Sequence, residues 1–208
     1  MLGAGLKVLA AFAFVVFFTS CSEAPKAAYK GEPGAEKSTP TSGPVSGKTA
    51  FWETYKSAHA WAADKIPLSL EGKNVSASGD DAGKAPVWVA TFGSPRKREA
   101  RAFTYSVSGQ QPDLLKGVSV GHAITWNGPT KEAMPFSAED FSVDSDAAYK
   151  TALAQADPWV KKHPDKPVTL ALGNASRFSG PVWYVLWGDH KSGYSVYVSA
   201  KSGEVVKP

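Results

Sequence analysis

A short motif around tryptophan occurs twice in the chain and determines how its fold is interpreted. Gly180-Pro181-Val182-Trp183-Tyr184 corresponds, 95 positions earlier, to Ala85-Pro86-Val87-Trp88-Val89. Apolar residues and then a glycine follow each copy, at Gly188 and at Gly93. A period of this length is typical of duplicated domains or half-domains and excludes a solenoid of short repeats.

Two further matches extend the repeat upstream of the tryptophan motif. Residues 66–70 (IPLSL) correspond to residues 166–170 (KPVTL), and Trp61 corresponds to Trp159 when small gaps are allowed. The two similar copies therefore each contain more than one predicted element of secondary structure.

Each copy is predicted to begin with a helix. In the first copy, apolar residues recur at helical spacing from Phe51 to Ile66, and Thr49 is a candidate N-cap. In the second copy, Asp144 or Ser145 is the candidate N-cap of a run with a similar apolar stripe. Both stripes are narrow enough to pack one face of the helix on a sheet.

Alternating apolar residues predict strands after each helix. The predicted strands are residues 87–92, 102–107 and 118–126 in the first copy, and 168–172, 182–187, 194–198 and 205–206 in the second. In the strand at 118–126, the alternation places five residues on one face: Val118, Val120, His122, Ile124 and Trp126. We therefore predict an α+β fold of two duplicated units, residues 49–130 and 131–208, each a helix packed on an antiparallel sheet.

The end of the chain resembles a known family. Residues 181–185 and 194–206 read as a strand, a turn, a strand of alternating aromatics and valines, and a small-residue turn containing Lys, Gly and Glu before two valines. This order is similar to the end of a PepSY domain, and residues 141–147 resemble the start of its helix. The resemblance covers most of residues 136–208 and reaches the first copy only through the duplication. It implies a tandem PepSY-like protein and, because PepSY domains are associated with peptidase propeptides, a role in controlling an extracellular peptidase.

The first twenty residues have the features of a secretory signal peptide. Lys7 is followed by an apolar run, residues 8–18, that is too short to cross about 30 Å of hydrocarbon. Residues 18–21 (FTSC) resemble a bacterial lipobox, which implies that Cys21 becomes the acylated N-terminus of a bacterial lipoprotein. The alternative is an incidental cysteine after an ordinary signal peptide in residues 1–20.

Residues 21–48 are predicted to tether the folded part to the membrane. They are rich in Pro, Gly, Ser, Thr, Ala and Lys, a composition that is typical of a flexible linker. A chain of that length spans roughly 30 Å root-mean-square. We expect a lipid-anchored protein on the extracytoplasmic side of the cell envelope, and Ser22 after the cysteine implies the outer membrane if the organism is Gram-negative.

Composition excludes several classes of protein. The 208 residues are 43% hydrophobic and 20% charged, which fits neither wholesale disorder nor a polytopic membrane protein. The net charge of +4 is too small for a dedicated nucleic-acid binder, so no nucleic-acid partner is predicted. One cysteine and four scattered histidines lack the spacing of a metal site, and no metal or cofactor is expected.

No sequence pattern indicates catalysis. The chain has neither a Gly-x-Ser-x-Gly elbow nor a Gly-rich phosphate loop, so we predict no catalytic residues and no enzyme. His122 is expected to be a hydrogen-bonded core residue of its strand. Asp189 and His190 are expected at a solvated hairpin tip.

The candidate partner-binding residues are a basic cluster and two tryptophans of the strands. The cluster lies at or beside a hairpin tip and consists of Arg96, Lys97, Arg98 and Arg101. It could meet lipid phosphates, envelope polymers or an acidic protein patch, or it could be a solvated turn that discourages edge pairing. Trp183 and Trp187 belong either to the core or to an aromatic binding surface.

These observations favour a membrane-tethered, extracytoplasmic binding module with a protein partner in the cell envelope. Regulation or inhibition of an envelope peptidase is its first expected role. A structural accessory of envelope assembly is the alternative, and a hydrolase with an unrecognised site is the third possibility.

Overall fold

The structure, a computed structural model, describes residues 43–109 and 115–208. The predicted signal peptide, Cys21 and residues 21–42 of the predicted linker lie outside the described residues. None of the helices in the described ranges is long and apolar enough to cross a membrane.

Two helices and eight strands build the described part of the chain. Helix α1 is Gly47–Trp61 and helix α2 is Ser145–Val160. The strands are β1 (Ile66–Lys73), β2 (Val87–Ser94), β3 (Glu99–Ser106), β4 (Gly117–Thr125), β5 (Val168–Gly173), β6 (Val182–Trp187), β7 (Tyr194–Ser199) and β8 (Val205–Val206). Short 3-10 helices occur at Gly79–Asp81 and Ala138–Asp140. The element order, a helix followed by four strands, therefore occurs twice.

All eight strands form one antiparallel sheet in the order β4-β3-β2-β1-β5-β6-β7-β8. Each group of four strands is a meander, and the two meanders meet where β1 pairs with β5. In that central pairing Leu70 lies opposite Leu172, and both side chains are buried. The predicted α+β class is confirmed, with a single continuous sheet and two helices.

Both helices begin close together, and their N-termini share caps. Ser46, and not the predicted Thr49, is the N-cap of α1, because the Ser46 side chain accepts a hydrogen bond from the Thr49 N–H. Of the two candidate caps, Asp144 is the N-cap of α2, and the oxygen that accepts the Ser145 N–H also accepts the Lys48 N–H of α1 at 2.8 Å. The Gly47 N–H donates to the buried Ser145 hydroxyl at 2.8 Å.

Helix α1 is shorter at its C-terminus than its apolar pattern predicts. It ends at Trp61, and Ile66, which continued the helical spacing, is the first residue of β1. The short turn between them lets the chain return along the sheet immediately. The buried residues of α1 that face the sheet are Gly47, Ala50, Phe51, Thr54 and Ala58.

The two tryptophans of the repeated motif meet at the centre of the core. Trp88 and Trp183 are fully buried, and their rings form an edge-to-face pair with centroids 6.2 Å apart. Each indole N–H donates to the carbonyl of the residue two positions before a helix, Trp88 to Val45 at 3.0 Å and Trp183 to Val143 at 2.8 Å. Corresponding residues of the two halves therefore occupy matching environments.

Strand β4 departs from the predicted alternation. Arg101 pairs with Ala123 while Phe103 pairs with Val120, so β4 has one extra residue in a β-bulge at Gly121 and His122. Because a bulge reverses the alternation, Val120 lies on the same face as Phe103 whereas Ile124 lies on the face of Ala100. The prediction of a single apolar face along β4 is wrong for this reason.

Candidate functional site

Helices α1 and α2 cover one face of the sheet, and the other face, here called the open face, carries a different set of side chains. On β6 the side chains of Trp183, Val185 and Trp187 point to the helices, so Tyr184 points to the open face. Tyr197 on β7 is directly opposite Tyr184 and shares its face. Both tyrosines are only partly buried.

Three aromatic rings pack against one another in tilted arrangements along this part of the open face. Tyr184 and Tyr197 have ring centroids 5.1 Å apart, and Phe178, from the loop between β5 and β6, lies 5.0 Å from Tyr197. The guanidinium of Arg177 stacks 4.9 Å from the Phe178 ring, a cation–π contact. His190 lies parallel to Tyr184 with centroids 6.1 Å apart.

A groove of about 470 Å³ runs beside these rings, and we call it the aromatic groove. Its floor consists of small side chains, Ser69, Ala171 and Gly173, on strands β1 and β5. A Cβ atom built on Gly173 would meet nothing within 4 Å, so the space above that residue is open. A volume of this size accommodates one or two amino-acid side chains or a small ligand.

A second depression of about 470 Å³ adjoins the groove at the ends of β6 and β7, and we call it the basic pocket. Its charged side chains are Arg177, Lys201, Lys207 and Asp140. Asp140 pairs with Lys201 at 3.3 Å. Three cations and one carboxylate give this pocket an excess of positive side-chain charge.

Tyr184 is held as a hydrogen-bonding group in the wall of the groove. Burial raises the pKa of its hydroxyl, and the neighbouring Tyr197 raises it further. The hydroxyl stays protonated at neutral pH and lies 3.3 Å from Nδ1 of His190. The two rings and this contact fix the orientation of Tyr184.

Three members of the predicted basic cluster lie at an exposed turn. Arg96, Lys97 and Arg98 occupy the tight turn between β2 and β3, where Arg98 has a positive φ of 53°. Asp64 stabilises this turn by accepting the Arg96 N–H at 2.8 Å and the Ser94 hydroxyl at 2.9 Å. The Arg96 N–H, followed by the Ser94 hydroxyl, lowers the pKa of the Asp64 carboxyl.

Arg101 does not join these three residues at the tip. Its guanidinium lies 5.3 Å from the centre of the Trp61 ring, next to α1, and its side chain is partly buried. The predicted cluster of four is therefore divided into a three-residue turn and one arginine that packs against the helix.

Trp183 and Trp187 are core residues and are not available to a partner in this fold. Trp183 is 0% exposed and Trp187 is 2% exposed. Trp187 packs against Tyr149 of α2, with ring centroids 5.7 Å apart. On the open face of β6 and β7, the aromatic residues are Tyr184, which lies between these tryptophans in the sequence, and Tyr197, which lies opposite Tyr184.

The two histidine expectations have different outcomes. His122 is exposed on β4, at the bulge, so the prediction of a core histidine is wrong. Asp189 and His190 do lie at the exposed β6–β7 loop, as expected, and Asp189 caps that loop by accepting the Lys191 N–H and the Ser192 hydroxyl. The Ser192 hydroxyl and the Lys191 N–H lower the pKa of Asp189. Within the described ranges, no three His, Cys, Asp or Glu residues lie close enough to hold a metal ion.

Sequence reasoning missed Arg177 and Phe178. They lie in a loop, where periodicity gives no direction for a side chain, and only the fold brings them to Tyr197. Tyr184 and Tyr197 could have been assigned to the open face, because each alternates with residues that are buried under α2.

Comparison of the chain with protein-family models, with curated proteins and with solved structures gives no match. The function is therefore argued from the site itself.

Proposed function

We propose that this protein is a non-catalytic binding module, tethered by a lipid on Cys21 to the extracytoplasmic side of a bacterial membrane. The module recognises a protein partner of the cell envelope, and the partner is a peptidase whose activity it regulates. The observation that carries the proposal is the aromatic groove. It presents Tyr184, Tyr197 and Phe178 on a face that neither helix covers.

Partly exposed tyrosines on the open face add little to the core, yet tyrosine is among the residues that contribute most to protein interfaces. An aromatic wall with a floor of small residues is suited to an inserted side chain. The central sheet supports the site rigidly, because both tyrosines lie on paired strands.

The peptidase enters the proposal through the sequence resemblance of residues 136–208 to a PepSY domain. The same resemblance and the repeated tryptophan environments support an origin of the two halves by duplication. In this proposal the first half supports the sheet and contributes part of the groove floor, and the second half supplies the aromatic wall that binds.

A second candidate function is a structural accessory of envelope assembly, and strand β4 favours it. This edge strand carries no Asp, Glu, Lys or Arg over Gly117–Thr125. Val120 is 52% exposed and Ile124 is 64% exposed. An uncharged edge of this kind can pair with a strand of another chain.

Crosslinking of the full-length tethered protein in native envelopes tests the proposal. Three proteins are compared: the unmodified chain, a groove variant with Tyr184→Val and Tyr197→Thr, and a turn variant with Arg96, Lys97 and Arg98 changed to Ser. We expect a peptidase to be captured by the unmodified chain and by the turn variant, and to be lost with the groove variant.

Activity of the captured peptidase is then measured with and without the purified protein. Regulation requires that the unmodified chain changes the rate of peptide hydrolysis and that the groove variant does not. Recovery of assembly proteins with all three chains, and loss of that recovery when Val120→Lys and Ile124→Lys charge the β4 edge, would replace the peptidase hypothesis with the assembly function.

Membrane attachment is tested separately with Cys21→Ala. We expect this variant in the soluble secreted fraction, because the acyl chains are attached through that sulfur. Continued membrane attachment of Cys21→Ala would refute the lipid anchor.

A further inference from the structure

The aromatic groove and the basic pocket adjoin each other. Arg177, Phe178 and Val182 line both of them, so an extended ligand can reach from one to the other. We infer that this combined surface binds an extended peptide segment in which an apolar side chain lies next to a carboxylate. The inference rests on the proposed function and specifies the chemistry that its protein partner must present.

The aromatic groove determines the apolar part of the ligand. Tyr184, Tyr197 and Phe178 form one wall, and the small residues Ala171 and Gly173 leave room beneath them. An aromatic or large aliphatic side chain inserted here would lose most of its contact with water, and this burial of apolar surface is favourable. A side chain as small as alanine would leave the groove mostly empty.

The basic pocket determines the charged part of the ligand. The salt bridge from Lys201 to Asp140 leaves Arg177 and Lys207 without a carboxylate within 4 Å in the part of the chain that the structure describes. The Cζ atom of Arg177 lies 4.9 Å from the centre of the Phe178 ring, and Arg177 lines the basic pocket. A guanidinium matches a carboxylate, which can accept two parallel hydrogen bonds from it.

A peptide suits this surface, because main chain of the protein itself already lies against it. Met134 forms an isolated antiparallel bridge with Asn174, and the Ser176 N–H donates to the Lys131 carbonyl at 2.8 Å. Glu132 and Ala133 of that segment line the groove opposite the rings. Because the floor residues are small, the main chain of a peptide ligand has room to approach the sheet as well.

Binding of synthetic peptides to the purified full-length chain tests the inference. The probes are fluorescent nonapeptides of Gly and Ser with a central Phe-Glu pair, a Phe-Gln pair or an Ala-Glu pair. Two more peptides end in Phe, one with a free carboxylate and one amidated. Fluorescence polarisation gives the affinities. Comparison of the affinity for Phe-Glu with that for the peptide ending in Phe shows whether the site prefers a side-chain or a C-terminal carboxylate.

We expect a carboxylate-bearing Phe peptide to bind about tenfold more tightly than Phe-Gln, since one charge-assisted hydrogen bond supplies a difference of that size. It should also bind about tenfold more tightly than Ala-Glu, because alanine buries much less apolar surface in the groove. Arg177→Gln combined with Lys207→Gln should abolish the preference for Phe-Glu over Phe-Gln. Lys161→Gln combined with Lys162→Gln removes the same charge from exposed residues at the end of α2 and should leave the preference intact.

Several results would overturn the inference. These are equal binding of Phe-Gln and carboxylate peptides, no binding of any peptide, or a charge preference that the Lys161 and Lys162 variant also loses. Binding of phosphatidylglycerol vesicles that depends on Arg177 and Lys207, without peptide binding, would assign the surface to anionic lipid instead.

The crosslinking experiment separates the two levels of the argument. If the groove variant loses its envelope partner but the peptides show no carboxylate preference, the inference fails and the proposed function stands. If the groove variant keeps every partner, the proposed function fails as well.

Discussion

The two halves of the sheet have the same order of elements but different open faces. In the second half, the paired residues at the middle of β6 and β7 are Tyr184 and Tyr197. In the first half, the residues at the corresponding positions of β2 and β3 are Val89 and Thr104, which also pair directly. β-Branched residues suit a sheet surface without offering large contact groups. Matching cores beneath different surfaces fit the proposal that the core maintains the fold while the surface of the second half binds a partner.

The largest expected effect tests whether the halves contribute equally to the core. Trp88→Ala and Trp183→Ala should each lower the free energy of unfolding by about 3–5 kcal/mol, because each removes a buried indole and leaves a cavity. Urea denaturation followed by circular dichroism measures both. Since the halves share one sheet, a single transition is expected for each variant. Two separate transitions, or a large loss for only one tryptophan, would contradict equal contributions.

A smaller effect is expected where the halves meet. A Cβ on Gly47 would lie 2.7 Å from the end of the Trp183 ring and 3.2 Å from that of Trp88. Gly47→Ala should therefore lower the free energy of unfolding by about 1–3 kcal/mol through overpacking, even though alanine favours helix. Gly43→Ala is the matched control, because its Cβ would meet nothing within 4 Å and its effect should be close to zero. Stabilisation by Gly47→Ala would show that the two rings can move apart.

The next prediction compares the two hairpin loops by their pH dependence. Asp64 and Asp189 each cap one loop as carboxylates with a lowered pKa. A lowered folded-state pKa means that the contribution to stability is present above the unfolded pKa of about 3.9 and is lost as pH falls through the folded value. At pH 7 the unfolding midpoint of the unmodified chain should therefore be higher than that of Asp64→Asn or Asp189→Asn. As the pH is lowered to 2.5, the midpoints should become equal.

Ser94→Ala distinguishes the two loops. The Ser94 hydroxyl donates to Asp64 and has no contact with Asp189, so this substitution should weaken the pH dependence contributed by Asp64 alone. A difference between unmodified and Asp64→Asn chains that persists unchanged to pH 2.5 would show that the carboxylate charge does not stabilise the turn.

The smallest effect on stability is expected from exchanging the open faces. Tyr184→Val with Tyr197→Thr gives the second half the residues of the first, and the free energy of unfolding should change by less than about 1 kcal/mol, the size of a cross-strand pair term. Binding of the envelope partner should nevertheless be lost. The reverse exchange, Val89→Tyr with Thr104→Tyr, should fold and give no second site. A destabilisation as large as that of Trp183→Ala would mean that the tyrosines belong to the core.

Much of the second half could be predicted from the sequence. Strand β6 has the predicted bounds, and β5, β7 and β8 agree to within a residue, because alternation and turn residues are local signals. In the first half, β3 begins at Glu99 and not at residue 102. The turn occupies only residues 95–98, and the charged residues that follow it already pair with β2. The β4 bulge had one signal, Gly121, because glycine inside a strand often marks a bulge.

The joining of both meanders in one sheet could not be predicted in the same way. It depends on pairing between β1 and β5, which lie far apart in the sequence and have no turn to set their register. Prediction of the candidate site from the sequence is limited in the same way. Tyr184 and Tyr197 follow from alternation, whereas Arg177 and Phe178 reach the groove only through tertiary packing.

The pairing of β1 with β5 also has a kinetic consequence. Leu70 and Leu172 are about one hundred residues apart along the chain, and closing so long a loop is entropically slower than forming the neighbouring hairpins. We expect the hairpins of each meander to form early and the central pairing to form last. Until then, an intermediate would expose two unpaired strand edges and both tryptophans at once. Refolding at high protein concentration should therefore fail by association of these intermediates.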